Sequence, residues 1–576
     1  MPTVPQIRPR VGVPVLLLCM LLSLLAGLGM REPMPPDEPR FVLAARQMVE
    51  SGQWLFPHRG SELYAEKPPM FMWLQATGYL AVRSWQVAFL LPSLLSALLV
   101  LWLSGDLARR LWGRWAMPYA VLGLFACLQF GLQAKRAQID MVLVGMTTLS
   151  LWALLRYLLE PRASGRADPR LLALGTFAAG LGTVTKGVGF LPLLVFLPWL
   201  WLRTRSPHAL ARPRGVHAWA GIAGFLLGAG AWLAPMLWVA LSSPDPALHQ
   251  YARDMLFKQT GTRYAHAWHH VRPFWYYLQV MATLWLPGVL LAPWLVPAWW
   301  RRIRRADTRW VLLLGWSLLV LLFFSASPGK REVYVFPMLP ALCVAAAPLL
   351  PSLLQRTGVR AVLWTYLGML SLVALGMGAW LLSASPARLH AITEGRGLAQ
   401  DTLAMIAMWL LAFGAFALMV MAVAWWARHR RPGVAVVLVS AALWTTYGLG
   451  LMPALSPDSS AQALMQRVGA RIGPHAELAM LGWREQHLLQ ADRPTVDFGF
   501  KQPWAVQWRH AHAWLREAPR TRWLFLRKEA IGPCLDPARV IDIGASNRRA
   551  WILAPGEAWI AGCEVPLDWS ADVSED

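Results

Sequence analysis

The sequence predicts an α-helical polytopic membrane protein with a small soluble α/β domain at its C-terminal end. Three observations predict it. Hydrophobic residues make up 56% of the 576 residues and charged residues only 15%, whereas soluble domains run at about 45–50% and about 25%. The apolar residues fall in blocks close to the length a bilayer requires, about 20 residues. Arginine clusters occupy every second gap between the blocks. The same composition excludes a disordered chain. A net charge of +23 raises the question of nucleic acid, but the arginines form short clusters, with no basic face and no nucleic-acid motif.

Thirteen spans are expected, at 12–30, 86–104, 115–133, 140–158, 171–186, 187–202, 217–242, 274–298, 310–326, 333–351, 361–383, 403–426 and 433–453. The first is read as a retained span rather than a cleaved leader, because no small-residue cleavage site follows it. Lys186 and Gly187 divide one long apolar run into the fifth and sixth spans. Keeping them separate places every basic gap on one side: Arg109–Arg114, Arg156–Arg170, Arg203–Arg214, Arg301–Arg309, Arg356–Arg360 and Arg428–Arg431 among them. Short basic loops mark the cytoplasmic side. The other side then holds 31–85, 243–273, several short turns and everything after about 455. In a bacterial inner membrane this side is the periplasm. All seven lysines lie there, five of them (Lys67, Lys135, Lys186, Lys258 and Lys330) before the C-terminal part, against the usual charge rule, which suggests that they have a separate task.

Residues 1–456 are read as the membrane domain, with outward loops at 31–85 and 243–273, and residues 457–576 as a periplasmic α/β domain. In the latter a helix is expected over 459–472 and strands at 477–482, 523–527, 539–543 and 550–553. It carries no nucleophile elbow, phosphate loop or metal motif, so a structural or docking role is expected. Cys534 and Cys563 fall in this oxidising compartment as either a bridge or two free thiols.

Candidate chemistry gathers on the outward side. Asp37 and Glu38 follow the first span, in Pro-Pro-Asp-Glu-Pro-Arg40. Carboxylates beside a bilayer are costly unless paired or hydrated, and so are functional candidates. The plainer reading makes one of them the cap of the helix that follows. Tyr64-Ala-Glu66-Lys67-Pro-Pro joins an acid and a phosphate-binding type of cation to a rigid proline turn. Lys135, Arg136 and Asp140 sit at the mouth of a span; the cations there could simply snorkel. Lys330-Arg331-Glu-Val-Tyr334 lies in a proline-framed turn that could clamp an anion or belong to an aromatic belt. Residues 258–273 add Lys258, Arg263 and three histidines. Their spacing fits no regular metal site, a hydrated loop is the preferred reading, and no cofactor is expected.

Taken together, Asp37-Glu38-Pro-Arg40, Tyr64-x-Glu66-Lys67-Pro-Pro, Asp140, Lys186-Gly187 and Phe-Phe-Ser-x-Ser-x-x-Lys330-Arg331-x-x-Tyr334-x-x-Pro337-x-x-Pro340 resemble membrane glycosyltransferases of the GT-C class. The likeness covers about the first 350 residues. Within the class it is nearest to the lipid A aminoarabinose transferases, relatives of the protein O-mannosyltransferases. The resemblance implies an undecaprenyl-phosphate-linked sugar donor and an outer-face acceptor such as a lipid A phosphate, hence lipopolysaccharide modification and polymyxin resistance. It implies catalytic roles for Asp37 and Asp140 and donor-phosphate binding by Lys67, Arg40, Lys330 and Tyr334. Glu38, Tyr64, Glu66 and Arg263 are implied as substrate contacts. The chain departs from the aminoarabinose pattern before Arg263, where Lys258 and Gln259 stand near an expected acid–His pair. The alternatives are a protein or glycan acceptor, or a transporter of lipid-linked sugars. No inverted repeat of the transporter kind is present.

Overall fold

Long apolar helices are the framework on which everything else hangs. The computed structural model describes residues 12–161, 167–205, 210–211, 215–257, 271–426, 432–566 and 569–570. Among these, seven helices are long and apolar enough to cross a membrane: Trp85–Trp112, Ile139–Leu159, His217–Ser242, Thr308–Ala326, Thr357–Ser383, Asp401–Trp426 and the apolar part of Pro432–Ile472. Two further pairs, Arg114–Ala126 with Leu128–Ala134 and Tyr276–Leu284 with Gly288–Arg304, are each bent by more than 40°. The chain is a multi-pass membrane protein. Burial sorts the helices into an inner and an outer set. Ile139–Leu159 is 72% buried, whereas His217–Ser242 and Asp401–Trp426 are 28% and 22% buried and present Trp238, Leu241, Trp425 and Trp426 outward. Such all-round apolar helices are stable only in lipid or a large core.

Local chemistry sets the breaks. Asp168, Asp245 and Asp307 cap the helices that follow them, each carboxylate accepting a backbone N–H two residues on, at 2.8–3.2 Å. After helix Pro169–Lys186, Gly187 takes φ +65°, and the chain doubles back so closely that a Cβ on Gly189 would lie 1.9 Å from the Gly182 carbonyl carbon. This divides the 171–202 run. The stretch after the break begins as a 3₁₀ turn, Leu191–Val195, and continues as helix Phe196–Arg205. Lys135 is buried instead of snorkelling. Its ammonium donates to the carbonyls of Ala26 (2.6 Å) and Leu24 (3.3 Å), closing the end of helix Gly12–Leu25.

The C-terminal part holds a five-stranded sheet. We number strands in chain order: β1 (His58–Arg59) and β2 (Glu62–Leu63) make a small hairpin, followed by β3 (Glu477–Leu481), β4 (Thr495–Asp497), β5 (Arg522–Arg527), β6 (Ile541–Ser546) and β7 (Arg549–Pro555). Their order is β4-β3-β5-β7-β6. β4, β3 and β5 run parallel, and β5, β7 and β6 antiparallel. Four strands lie at the positions read from the sequence; β4, three residues long, was too short to register. The expected helix at 459–472 begins later, at Gln462, because Ala461 adopts φ +64° behind helix Met452–Ser459. Cys534 and Cys563 form a disulfide, which ties the loop after β5 to the chain end.

The sheet is docked, not tethered. The helical run Pro432–Ile472 leads from the bundle to the sheet across the expected domain boundary. Leu43 of helix Glu38–Ser51 sits in one apolar cluster with Leu464, Met480 and Trp551. Polar contacts reinforce it, with Asp497 accepting from the Ser61 N–H (3.0 Å) and hydroxyl (2.7 Å).

Helices Pro169–Lys186 and His217–Ser242 meet through glycines: a Cβ on Gly228 would fall 2.3 Å from the Phe177 carbonyl oxygen. Close backbone approach of this kind drives helix association in lipid. Gly228→Val is therefore expected to cost about 1–3 kcal/mol or more through overpacking. A lower melting temperature and reduced yield of monodisperse protein would show it.

Candidate active site

Several chain segments that are remote in sequence converge at one end of the bundle around a cavity of about 260 Å³. Each contributes a residue from a turn or helix end. Asp37 precedes helix Glu38–Ser51, Lys67 precedes helix Met70–Val82, and Asp140 lies in the first turn of helix Ile139–Leu159. Lys186 ends helix Pro169–Lys186. Tyr334 and Arg331 come from the turn before helix Met338–Ala346. An acid at a helix start and a cation at a helix end are each favoured by the helix dipole.

Asp37, Asp140 and Glu66 are each paired with cations. Asp37 occupies the cap position of its helix but makes no capping bond. Its carboxylate faces Arg331 at 3.2 Å and Arg40 at 4.0 Å. Asp140 forms an ion pair with Lys186, whose ammonium also lies 4.8 Å over the Tyr334 ring, a cation–π contact. Glu66 is met by Lys501 at 3.0 Å, Arg59 at 3.2 Å and Arg40 at 3.7 Å. Burial alone would raise the Glu66 carboxyl, but these three cations pull it down to about 2. Burial works equally against the Arg331 cation, yet Asp37 and then Asp140 hold its pKa above the ordinary value.

Of the residues singled out from sequence, Asp37, Arg40, Glu66, Lys67, Asp140 and Tyr334 line the cavity. Glu38, Tyr64 and Lys330 do not. Glu38 is turned the other way, into a buried two-pronged pair with Arg31 (2.5 and 2.6 Å), and accepts the backbone N–H of Met34 (3.0 Å) and Ala137 (2.9 Å). It thereby ties the Asp37 turn to the Asp140 turn. Tyr64 is 2% exposed, in the apolar cluster of Phe41 and Phe71. Lys330 is buried, and its ammonium donates to the carbonyls of Ser327 (2.5 Å) and Arg272 (3.2 Å), so it fastens the turn while its neighbour Arg331 reaches the cavity. Arg263 and the histidines at 266, 269 and 270 lie outside the described residues. Among the described residues no three His, Cys, Asp or Glu side chains converge as a metal would require.

Sequence reasoning passed over Arg331 and Lys186 as site residues although both lay in quoted motifs, and it passed over Asp254 and Lys501 entirely. All four line the cavity. Lys501 also adds to the structural or docking role expected of the C-terminal part, because it brings that part to the cavity wall. Its loop follows β4, its backbone N–H is accepted by Glu62 at 3.1 Å, and its ammonium reaches Glu66. Glu485, just beyond β3, accepts Arg40 at 3.1 Å and Arg59 at 3.5 Å.

Two consequences are measurable. Glu38→Gln unpairs the buried Arg31 and should destabilise the fold by about 3–5 kcal/mol, seen as a large drop in melting temperature. Glu66 is held below its ordinary value of 4.5, so its contribution is in place above that pH and is lost as the pH falls towards 2. Glu66→Gln should therefore melt below the parent at pH 6, with the gap closing as the pH is lowered below 4.5.

Comparison with known proteins places this arrangement. Residues 66–232 match the family model described as dolichyl-phosphate-mannose-protein mannosyltransferase. An undecaprenyl phosphate-alpha-4-amino-4-deoxy-L-arabinose arabinosyl transferase of Pseudomonas fluorescens is 30% identical over 376 residues, 64% of this chain. The chain spans 65% of that relative's length. The enzyme of the same name from Pectobacterium carotovorum is 31% identical over 410 residues, 66% of this chain and 67% of the relative. The crystal structure of ArnT from Cupriavidus metallidurans bound to undecaprenyl phosphate shares the fold, with a TM-score of 0.71 at 22% identity over 96% of this chain and 98% of that one. On this evidence, the chain belongs to the undecaprenyl phosphate-alpha-4-amino-4-deoxy-L-arabinose arabinosyl transferase family.

Proposed function

We propose that the protein is an inverting glycosyltransferase of the bacterial inner membrane. It transfers 4-amino-4-deoxy-L-arabinose, or a similar sugar, from an undecaprenyl-phosphate donor to a lipid A phosphate on the periplasmic face. The observation that carries the reading is the cavity in which Asp37, held by Arg331, faces Lys67 and Tyr334 at one end of an apolar bundle. The names of the relatives supply the donor and the sugar. We further propose thirteen crossings: the seven long helices, the two bent pairs, Gly12–Leu25, Pro169–Lys186, the run 191–205 and the run 338–353. Under that count the cavity, the loops 31–85 and 243–273, and the soluble unit 457–576 face the periplasm, and 1–456 is the membrane unit.

The chemistry follows from the charges. The acceptor oxygen bonds to the anomeric carbon as the carbon–oxygen bond to the lipid phosphate breaks, and undecaprenyl phosphate leaves with the electron pair. Negative charge grows on the leaving phosphate, where Lys67, Arg40 and Arg331 can stabilise it and Tyr334 can donate a hydrogen bond. Lys330 acts by holding Arg331 in place. An acceptor phosphate is already ionised, so Asp37 has no proton to remove. Its task is to orient the acceptor and stabilise the positive character at the sugar carbon. Asp140, paired with Lys186, fixes the far wall. No cofactor is needed for these steps. The match of residues 66–232 to a protein mannosyltransferase model favours a protein acceptor as the second reading.

Asp37→Asn should abolish transfer while leaving the melting temperature near that of the parent, because Arg331 and Arg40 retain an oxygen acceptor. The assay uses purified protein, lipid-linked donor and lipid A in detergent, with mass spectrometry of the product. Transfer at the parental rate by Asp37→Asn would remove Asp37 from the reaction. Sugar found on protein instead of lipid A would select the second reading. No product in detergent, with movement of donor across the bilayer once the protein is reconstituted in vesicles, would select a transporter.

A further inference from the structure

A second concentration of charge lies in the C-terminal sheet. Arg484 follows β3, Arg527 ends β5 and Arg549 begins the antiparallel β7. By the register of the strands, all three stand at the edge where the parallel strands finish. Arg527 pairs across the sheet with Trp551, and alternation puts Arg549 on the same face as Trp551. Arg527 is only 5% exposed, and its buried Nε has no hydrogen-bond partner. The three guanidiniums are close enough to repel one another: burial first, then Arg484 and Arg549, lower Arg527 to about 10, and Arg484 is lowered by burial despite Glu485. Glu529 lies 3.7 Å from Arg549, Glu485 is shared with Arg40 and Arg59, and Arg527 lies 5.9 Å over the Trp551 ring.

A buried, incompletely paired cation is a cost to the fold. It is retained where something else repays it. The topology points to a ligand. From β3 the chain passes to β4 on one side, while β5 lies on the other. In open sheets the crevice outside the carboxyl ends, at the point where connections diverge, is where ligands bind. Guanidinium forks suit the oxygens of a phosphoryl group.

We propose that Arg484, Arg527 and Arg549 form a phosphoryl-binding subsite at the carboxyl edge of the sheet, distinct from the cavity around Asp37. The same edge carries Lys501 to the cavity and Glu485 to Arg40, so it faces the end of the bundle where lipid headgroups lie. The phosphoryl group is that of a lipid headgroup or a free phosphate. The subsite does not depend on the transfer reaction, and its test reads binding alone.

The test uses the full chain in phosphatidylcholine nanodiscs in phosphate-free buffer, with melting followed by tryptophan fluorescence. Inorganic phosphate and dihexanoyl phosphatidic acid are the two probes. The parent should be stabilised by at least one, and Arg527→Gln should melt higher than the parent without a probe and gain nothing from it. Arg549→Gln, at a partly exposed position, should bind the probe about tenfold more weakly. Stabilisation by phosphatidic acid alone assigns a headgroup; stabilisation by both assigns the free anion as well. Three results would overturn the subsite: no probe stabilises the parent; Arg527→Gln melts lower or fails to fold, which makes Arg527 structural; or both variants respond as the parent does, which returns the effect to the cavity.

Discussion

Ionised carboxylates at the edge of hydrocarbon must each find a cation, and the structure is organised by that demand. Asp37 takes Arg331, Asp140 takes Lys186, Glu66 takes Arg59 and Lys501, and Glu38 takes Arg31. Every pair joins segments that are separate elements of the fold. The Glu38–Arg31 pair is the most buried of them and binds the backbone of the two turns that carry Asp37 and Asp140 to the cavity. Without it the spacing between Asp37 and Asp140 would have no fixed reference. The bundle supplies the low dielectric that makes such pairing strong, and the pairing supplies the geometry that apolar packing alone cannot specify.

The sequence disclosed the bundle because apolar length is a local property. It also pointed to turns that meet at the cavity, since charge beside an apolar run is conspicuous. It could not say which of two neighbours does the work. Asp37 and Glu38 are adjacent, and only the direction in which helix Glu38–Ser51 departs sends one to the cavity and the other into the interior. Lys330 and Arg331 divide in the same way, as anchor and as cavity residue. Lys501 was illegible for another reason. It reaches Glu66 across more than 400 positions, through a loop that follows a strand of three residues, and no local pattern encodes such a meeting.

The C-terminal part therefore completes the site. The loops after the parallel strands β3 and β4, where sheets of this kind carry function, meet the turns of the membrane part through Glu485 and Lys501. The cavity is thus walled by helix ends of the bundle and closed on one side by a loop of the sheet.

The sharing of Glu485 between Arg40 and Arg59 has an evolutionary corollary. One carboxylate from the sheet serves two guanidiniums from the segment 31–85, so a change at any of the three penalises the others. The two halves cannot diversify independently. Chimaeras that graft a sheet from one homologue onto the helices of another would mismatch at this junction unless the three positions travel together, and natural variants should show them drifting as a set.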